Sequence, residues 1–141
     1  MPKAEDEIIL DFSLDKLWTF FSDLKTLPKA LRFVEKAEET CDKKILWKIK
    51  FPMSATTKTP FLEGSFLEIK PQEKISWEAK GENIVWRGEV NLKSIEENKT
   101  KAKISLEIEG LGPMAKVINP VASLQISGQL KYFINQVKKL I

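Results

Sequence analysis

The sequence contains no histidine and a single cysteine, Cys41. Without imidazole there is no Ser-His or Cys-His activation of a nucleophile and no histidine metal ligand. No other side chain titrates near neutrality unperturbed, so a general base would have to be a shifted carboxylate or lysine. One thiol excludes an internal disulfide, and with no histidine to activate it Cys41 reads as a small hydrophobe. The carboxylates show no metal-loop spacing. No metal, cofactor or catalytic residue is therefore expected.

Arginine is scarce as well. Of 23 basic residues only Arg32 and Arg87 are arginines, and 20 acidic residues leave a net charge of +3. So small an excess, interspersed with acids and carried by lysine, is no nucleic-acid footprint. The opening residues, MPKAEDEII, include no apolar run of signal-peptide length, and the expected location is the cytoplasm. The abundance of Lys, Glu and Ile is of the kind enriched in thermophile proteins.

What is present is ordinary globular material: 141 residues, 43% hydrophobic and 30% charged. That length predicts one domain spanning 1–141, with a substantial core. IILDFS (8–13) predicts a first strand, and Ser13 a helix N-cap for LDKLWTFFSDL. Leu14, Leu17, Trp18, Phe21 and Leu24 recur at helical spacing and should face the core, with Phe20 off that stripe and partly exposed. TLPKALRF predicts a second short helix, capped by Thr26 with Pro28 in its first turn.

From there to residue 109 the period is two. ILWKIKF (45–51) puts Trp47, Ile49 and Phe51 on one side. KISWEAK (74–80) aligns Ile75, Trp77 and Ala79, and IVWRGEVNLKSI aligns Ile84, Trp86, Gly88, Val90 and Leu92. KAKISLEIE brings Ala102, Ile104, Leu106 and Ile108 inward. One apolar and one charged face mark an antiparallel sheet wet on one side. A loop is expected at 52–60 and a strand near 61–70, and GEN (81–83) and EENKT (96–100) read as turns. The predicted class is α+β, an antiparallel sheet of about six or seven strands covered by a long C-terminal helix.

That helix begins inside an unusual segment. LGPMAKVINPVASLQISGQL (111–130) has one charged residue, Lys116. Polar residues from Asn119 to Gln129 interrupt it too often for a membrane span. Its apolar stripe changes face across Pro120, since Ile126, Leu130, Phe133, Ile134, Val137 and Ile141 fall opposite Met114, Val117, Val121 and Leu124. Two accounts fit. Either Pro120 breaks or kinks the helix, with Asn119 capping a new start so that both halves face one core, or the first half meets the sheet on one side and a partner on the other.

Both accounts leave room for a cavity, with Ala122, Ser123 and Gly128 as small residues facing inward tryptophans. Three of the four tryptophans, Trp47, Trp77 and Trp86, are predicted inward, as large flat walls whose N–H groups need partners. The expected lining is Trp47, Ile49, Phe51, Trp77, Trp86, Val90, Met114, Ile118, Val121, Gln125 and Gly128. The competing reading is that these side chains simply fill a core.

Both ends of the chain resemble a known superfamily. FSLDKLWTFFSDLKTLPKAL, with Trp18, Asp23 and Pro28, resembles the opening of the START-like helix-grip (SRPBCC) proteins. GLGPMAKVINPVASLQISGQLKYFINQVKKL, with Phe133 near its end, resembles one branch of them, the G-type accessory proteins of carbon monoxide dehydrogenase. The resemblance implies a curved sheet gripping the last helix, a hydrophobic cavity between them, and a ligand such as a lipid, quinone or polyketide. The branch implies contact with a membrane surface or a partner dehydrogenase. Catalytic members place His, Arg or acidic groups in the cavity, and here the inward strand positions are nearly all apolar.

Three functions follow: a carrier of a small hydrophobic molecule, an interaction module with a filled core, and a cyclase- or dehydratase-type enzyme. The enzyme would need a desolvated carboxylate, for which Glu63 is the candidate. Against that, Glu63 reads more readily as a solvated edge or turn residue, and Arg87 and Glu78 as an exposed pair across a hairpin.

Overall fold

In a computed structural model of the chain the described residues are 3–31, 34–40, 45–49, 61–81 and 84–141, with the side chains of 35, 36, 49 and 114 left aside. The chain forms β1 (Lys3–Leu10), α1 (Leu14–Phe21), a 3-10 turn (Leu27–Ala30), β2 (Val34–Glu39) and β3 (Ile45–Ile49). It continues through β4 (Phe61–Lys70), β5 (Lys74–Lys80), β6 (Ile84–Glu96) and β7 (Lys99–Gly110). A 3-10 turn (Gly112–Met114) then leads into α2 (Ala115–Leu140). The strands make one seven-stranded antiparallel sheet in the order β1-β7-β6-β5-β4-β3-β2. This is the α+β helix-grip architecture: one sheet, two short helical segments after β1, and a long last helix.

The alternation read from the sequence sets the faces. Ile75, Trp77, Ala79, Ile84, Trp86, Val90, Leu92, Ala102, Ile104, Leu106 and Ile108 are all buried in the core. The first strand differs from expectation, running over 3–10 rather than 8–13. It is an edge strand whose outer positions are charged, so apolar content does not reveal it. Register supplies the missing signal: Lys101 and Lys103 of β7 reach Glu7 and Glu5 at 3.0 and 3.4 Å.

Ser13 caps α1, its hydroxyl accepting from the Lys16 amide at 3.3 Å. Phe20 corrects the helical wheel. It is buried and sits edge-on to Phe21, ring centroids 5.5 Å apart, and Phe21 in turn packs on Phe133 of α2. Thr26 does not cap the 3-10 turn; its hydroxyl donates back to the Phe20 carbonyl at 2.8 Å, tying the turn to α1. Pro28 occupies the first turn as its fixed φ favours. Cys41 and the expected loop at 52–60 lie outside the described residues.

Candidate functional site

The inner face of the sheet is built on tryptophan and glycine in register. Trp77 pairs with Gly88, and Trp86 pairs with Ala79 one step along the same two strands, so the two indoles are diagonal neighbours. Trp47 of β3 leans on Trp77 with centroids 5.1 Å apart. Its ring also covers Gly64 of β4, where a Cβ would stand 3.3 Å from indole atoms. The Trp47 indole donates to the Leu24 carbonyl at 2.9 Å, which fastens the α1 connection over the sheet. The other two indole N–H groups, on Trp77 and Trp86, are buried with no partner among the described residues.

Opposite this face α2 runs unbroken from Ala115 to Leu140, with Pro120 inside it. A break at Pro120, one form of the first of the two accounts, is therefore absent. Asn119 does not cap a new start; its side chain accepts from the Gly110 amide at 2.8 Å, binding the end of β7 to the helix. Pro120 is exposed, so the carbonyl it leaves unpaired one turn earlier, on the exposed Lys116, meets water. The buried face passes straight across it: Ile118, Ala122, Ile126, Gln129, Leu130, Phe133, Ile134 and Val137. Val117 and Leu124, 44% and 87% exposed, lie on the opposite side.

Of the residues expected to line a cavity, the fold gathers Trp47, Trp77, Trp86, Val90 and Ile118 into one interior layer, each at most 1% exposed. Gln125 is half-buried with its Oε1 enclosed, and Val121 is half-buried. Gly128 is exposed, with open space where a Cβ would be, so together with the exposed Ser123 it leaves no inward gap. The Ile49 and Met114 side chains and all of Phe51 lie outside the described residues.

The interior is closed around the indoles, because almost none of their surface is accessible. Sequence reasoning missed Gln129, which is 3% exposed and has neither amide atom paired among the described residues. Its spacing of four from Gln125 on a helix was the available signal.

Among the described residues the inner layer is free of charge, and the buried polar side chains are Thr100, Ser105 and Gln129. Glu63 is exposed on β4, across from Lys80, and so lacks the desolvation a general base would need. No cluster of three candidate metal ligands occurs among the described residues. No helix among them is long and apolar enough to cross a membrane.

Charge is collected on the outer face. Arg87 donates to Glu78 at 3.0 Å and to Glu109 at 2.9 Å, the pairing with Glu78 expected from the hairpin. The hydrogen bond to Glu109, which outweighs the opposing effect of burial and is reinforced by the bond to Glu78, raises the Arg87 pKa. Elsewhere a surface groove of about 390 Å³ runs between α1 and the end of α2, over Thr19, Phe20, Thr26, Leu140 and Ile141. From its floor Phe20, Phe21 and Phe133 step into the core, the last two with centroids 6.0 Å apart.

No protein-family model and no curated protein matches the sequence. Solved structures do match. A START superfamily protein from Mycobacterium smegmatis superposes with a TM-score of 0.73 at 9% identity, over 99% of this chain and 96% of its own. A Deinococcus radiodurans protein gives 0.65 at 20% identity, over 100% of both chains. Norcoclaurine synthase from Thalictrum flavum, solved with dopamine and hydroxybenzaldehyde, gives 0.62 at 18% identity, over 98% of this chain and 84% of its own. At these identities the likeness is one of fold.

Proposed function

We propose that the protein binds a small, largely apolar molecule between the sheet and α2. The observation that carries this reading is the set of polar atoms that, among the described residues, lie without partner or charge in a closed interior: the Trp77 and Trp86 indole nitrogens and both amide atoms of Gln129. Each such buried group costs about 1–3 kcal/mol when left without a partner. A layer kept only for packing is more stable with apolar residues at these positions. A ligand inserted there would supply the partners and bury its own apolar surface at ~25 cal/mol per Å².

The fold neighbours support the same reading by analogy, since norcoclaurine synthase is solved with small aromatic molecules bound. Lipids, quinones and polyketide-like molecules are the ligand classes suggested by the sequence resemblance. A role beside a membrane-associated dehydrogenase rests on the likeness of residues 110–140 to the G-type accessory proteins of carbon monoxide dehydrogenase. Lack of an enclosed acid or base among the described residues favours binding over chemistry.

Native mass spectrometry of gently purified protein, with organic extraction of bound material, tests the proposal. A stoichiometric small molecule supports it. A mass that stays that of the bare chain after incubation with lipids and quinones overturns it.

A second reading, an interaction module with a filled interior, is favoured by the nil exposure of Trp47 and Trp77 together with the bare Leu124. In that case Val117 and Leu124 form the contact surface, with Lys116 and Lys131 beside them for an acidic partner or anionic lipid. Sedimentation with phosphatidylglycerol vesicles tests it: Leu124→Ser is expected to bind less than wild type, and equal binding overturns this reading.

A further inference from the structure

We infer that the molecule held between the sheet and α2 is electrically neutral and carries two kinds of polar group: an acceptor for the indoles, and an amide- or hydroxyketone-like group for Gln129. This rests on the binding reading above and narrows its ligand class.

Atom types set the first half. An indole nitrogen can only donate, so Trp77 and Trp86 call for a carbonyl or ether oxygen. A glutamine amide both donates and accepts, and neither function of Gln129 is met. A plain hydrocarbon would leave all of these atoms unpaired and would bind against their desolvation.

Placement brings the groups to one layer. On α2, Ser127, Leu130 and Lys131 border Ala4, Glu5 and Asp6 of β1. Consecutive helix positions lie about 100° apart, so Gln129 and, one turn earlier, Gln125 are on the flank turned away from β1. From β1 the sheet proceeds through β7 to β6 and β5, which carry Trp86 and Trp77. The glutamine flank therefore overlooks the indole side of the sheet.

Absence of charge sets the second half. Among the described residues no buried Lys, Arg, Asp or Glu faces this layer. A carboxylate or phosphate inserted there would lose its hydration without a counter-charge, a penalty far above that of a neutral polar group.

Isothermal titration at about pH 8, where carboxylic acids are ionised, separates the classes. The probes are matched pairs: naphthamide against naphthoate and oleamide against oleate. The neutral member of a pair is expected to bind about ten-fold or more tightly. In Gln129→Leu the amides lose that advantage while the acids are unchanged, and a melting curve verifies that the variant is folded. Equal binding of acid and amide, or undiminished amide binding in Gln129→Leu, overturns the inference and leaves the binding reading intact. Failure of all four probes to bind overturns the binding reading, and the inference with it.

Discussion

Trp77 and Gly88 stand opposite each other on β5 and β6, and the indole occupies the space that a side chain at 88 would need. A Cβ added to Gly88 would lie 2.6 Å from the indole Nε1 and closer still to the ring carbons. The ring is hemmed on its other side by Trp47. The width of the interior layer is thus set by a glycine.

Gly88→Ala is accordingly expected to overpack the layer, at a loss of about 1–3 kcal/mol in urea denaturation. Gly128→Ala is the control, since its Cβ would meet open space on a helix. There the change should stabilise by roughly 0.8–1 kcal/mol through helix propensity. Equal effects of the two would show that the Trp77 contact is not tight.

Gln129→Leu should stabilise the unliganded protein by about 1–3 kcal/mol, because it removes a desolvated amide with no partner. A raised melting temperature checks this. A fall would mean that the amide is satisfied in solution.

Asn119→Ala deprives the Gly110 amide of its acceptor at the junction of β7 and α2. The expected loss is about 1 kcal/mol, with faster hydrogen exchange at Gly110 than at neighbouring β7 amides. Unchanged exchange would show that β7 and α2 are not joined there.

On the outer face Lys74 bridges Glu68 at 2.8 Å and Glu89 at 3.1 Å. Its hydrogen bond lowers the Glu68 pKa below the ordinary 4.5. A carboxylate whose folded pKa is depressed adds stability above its unfolded pKa and loses it as pH falls through the folded one. The destabilisation caused by Glu68→Gln should therefore be present at neutral pH and vanish in acid below the folded pKa. As an exposed pair it should also fade with salt. A pH-independent difference would point to packing instead of charge.

Leu124→Ser should leave stability within about 0.5 kcal/mol of the parent, given 87% exposure. A larger loss in denaturation would mean that the face is covered in solution.

Much of this molecule was determined by the sequence alone. A period of two over Ile75–Ala79, Ile84–Leu92 and Ala102–Ile108 dictates strands and their inward face, because side chains alternate sides whatever the partner strand. Ser13 likewise determines where α1 begins, through a bond three residues long. Period and capping are local, so they are legible locally.

Tertiary structure decided the rest. Which side of α2 is inside depends on where β7 delivers the chain and on Asn119 gripping Gly110, neither of which a helical wheel contains. So Val117 and Leu124 are left outside, while Gln129 is taken in. Phe20 is buried beside Phe21, which packs on Phe133 of α2, and β1 is a strand because β7 pairs with it. The candidate site belongs to this second class. Its tryptophans were visible as an inward row, but its unpaired nitrogens and its glutamine are facts of burial. Burial is settled only when distant segments close over one another.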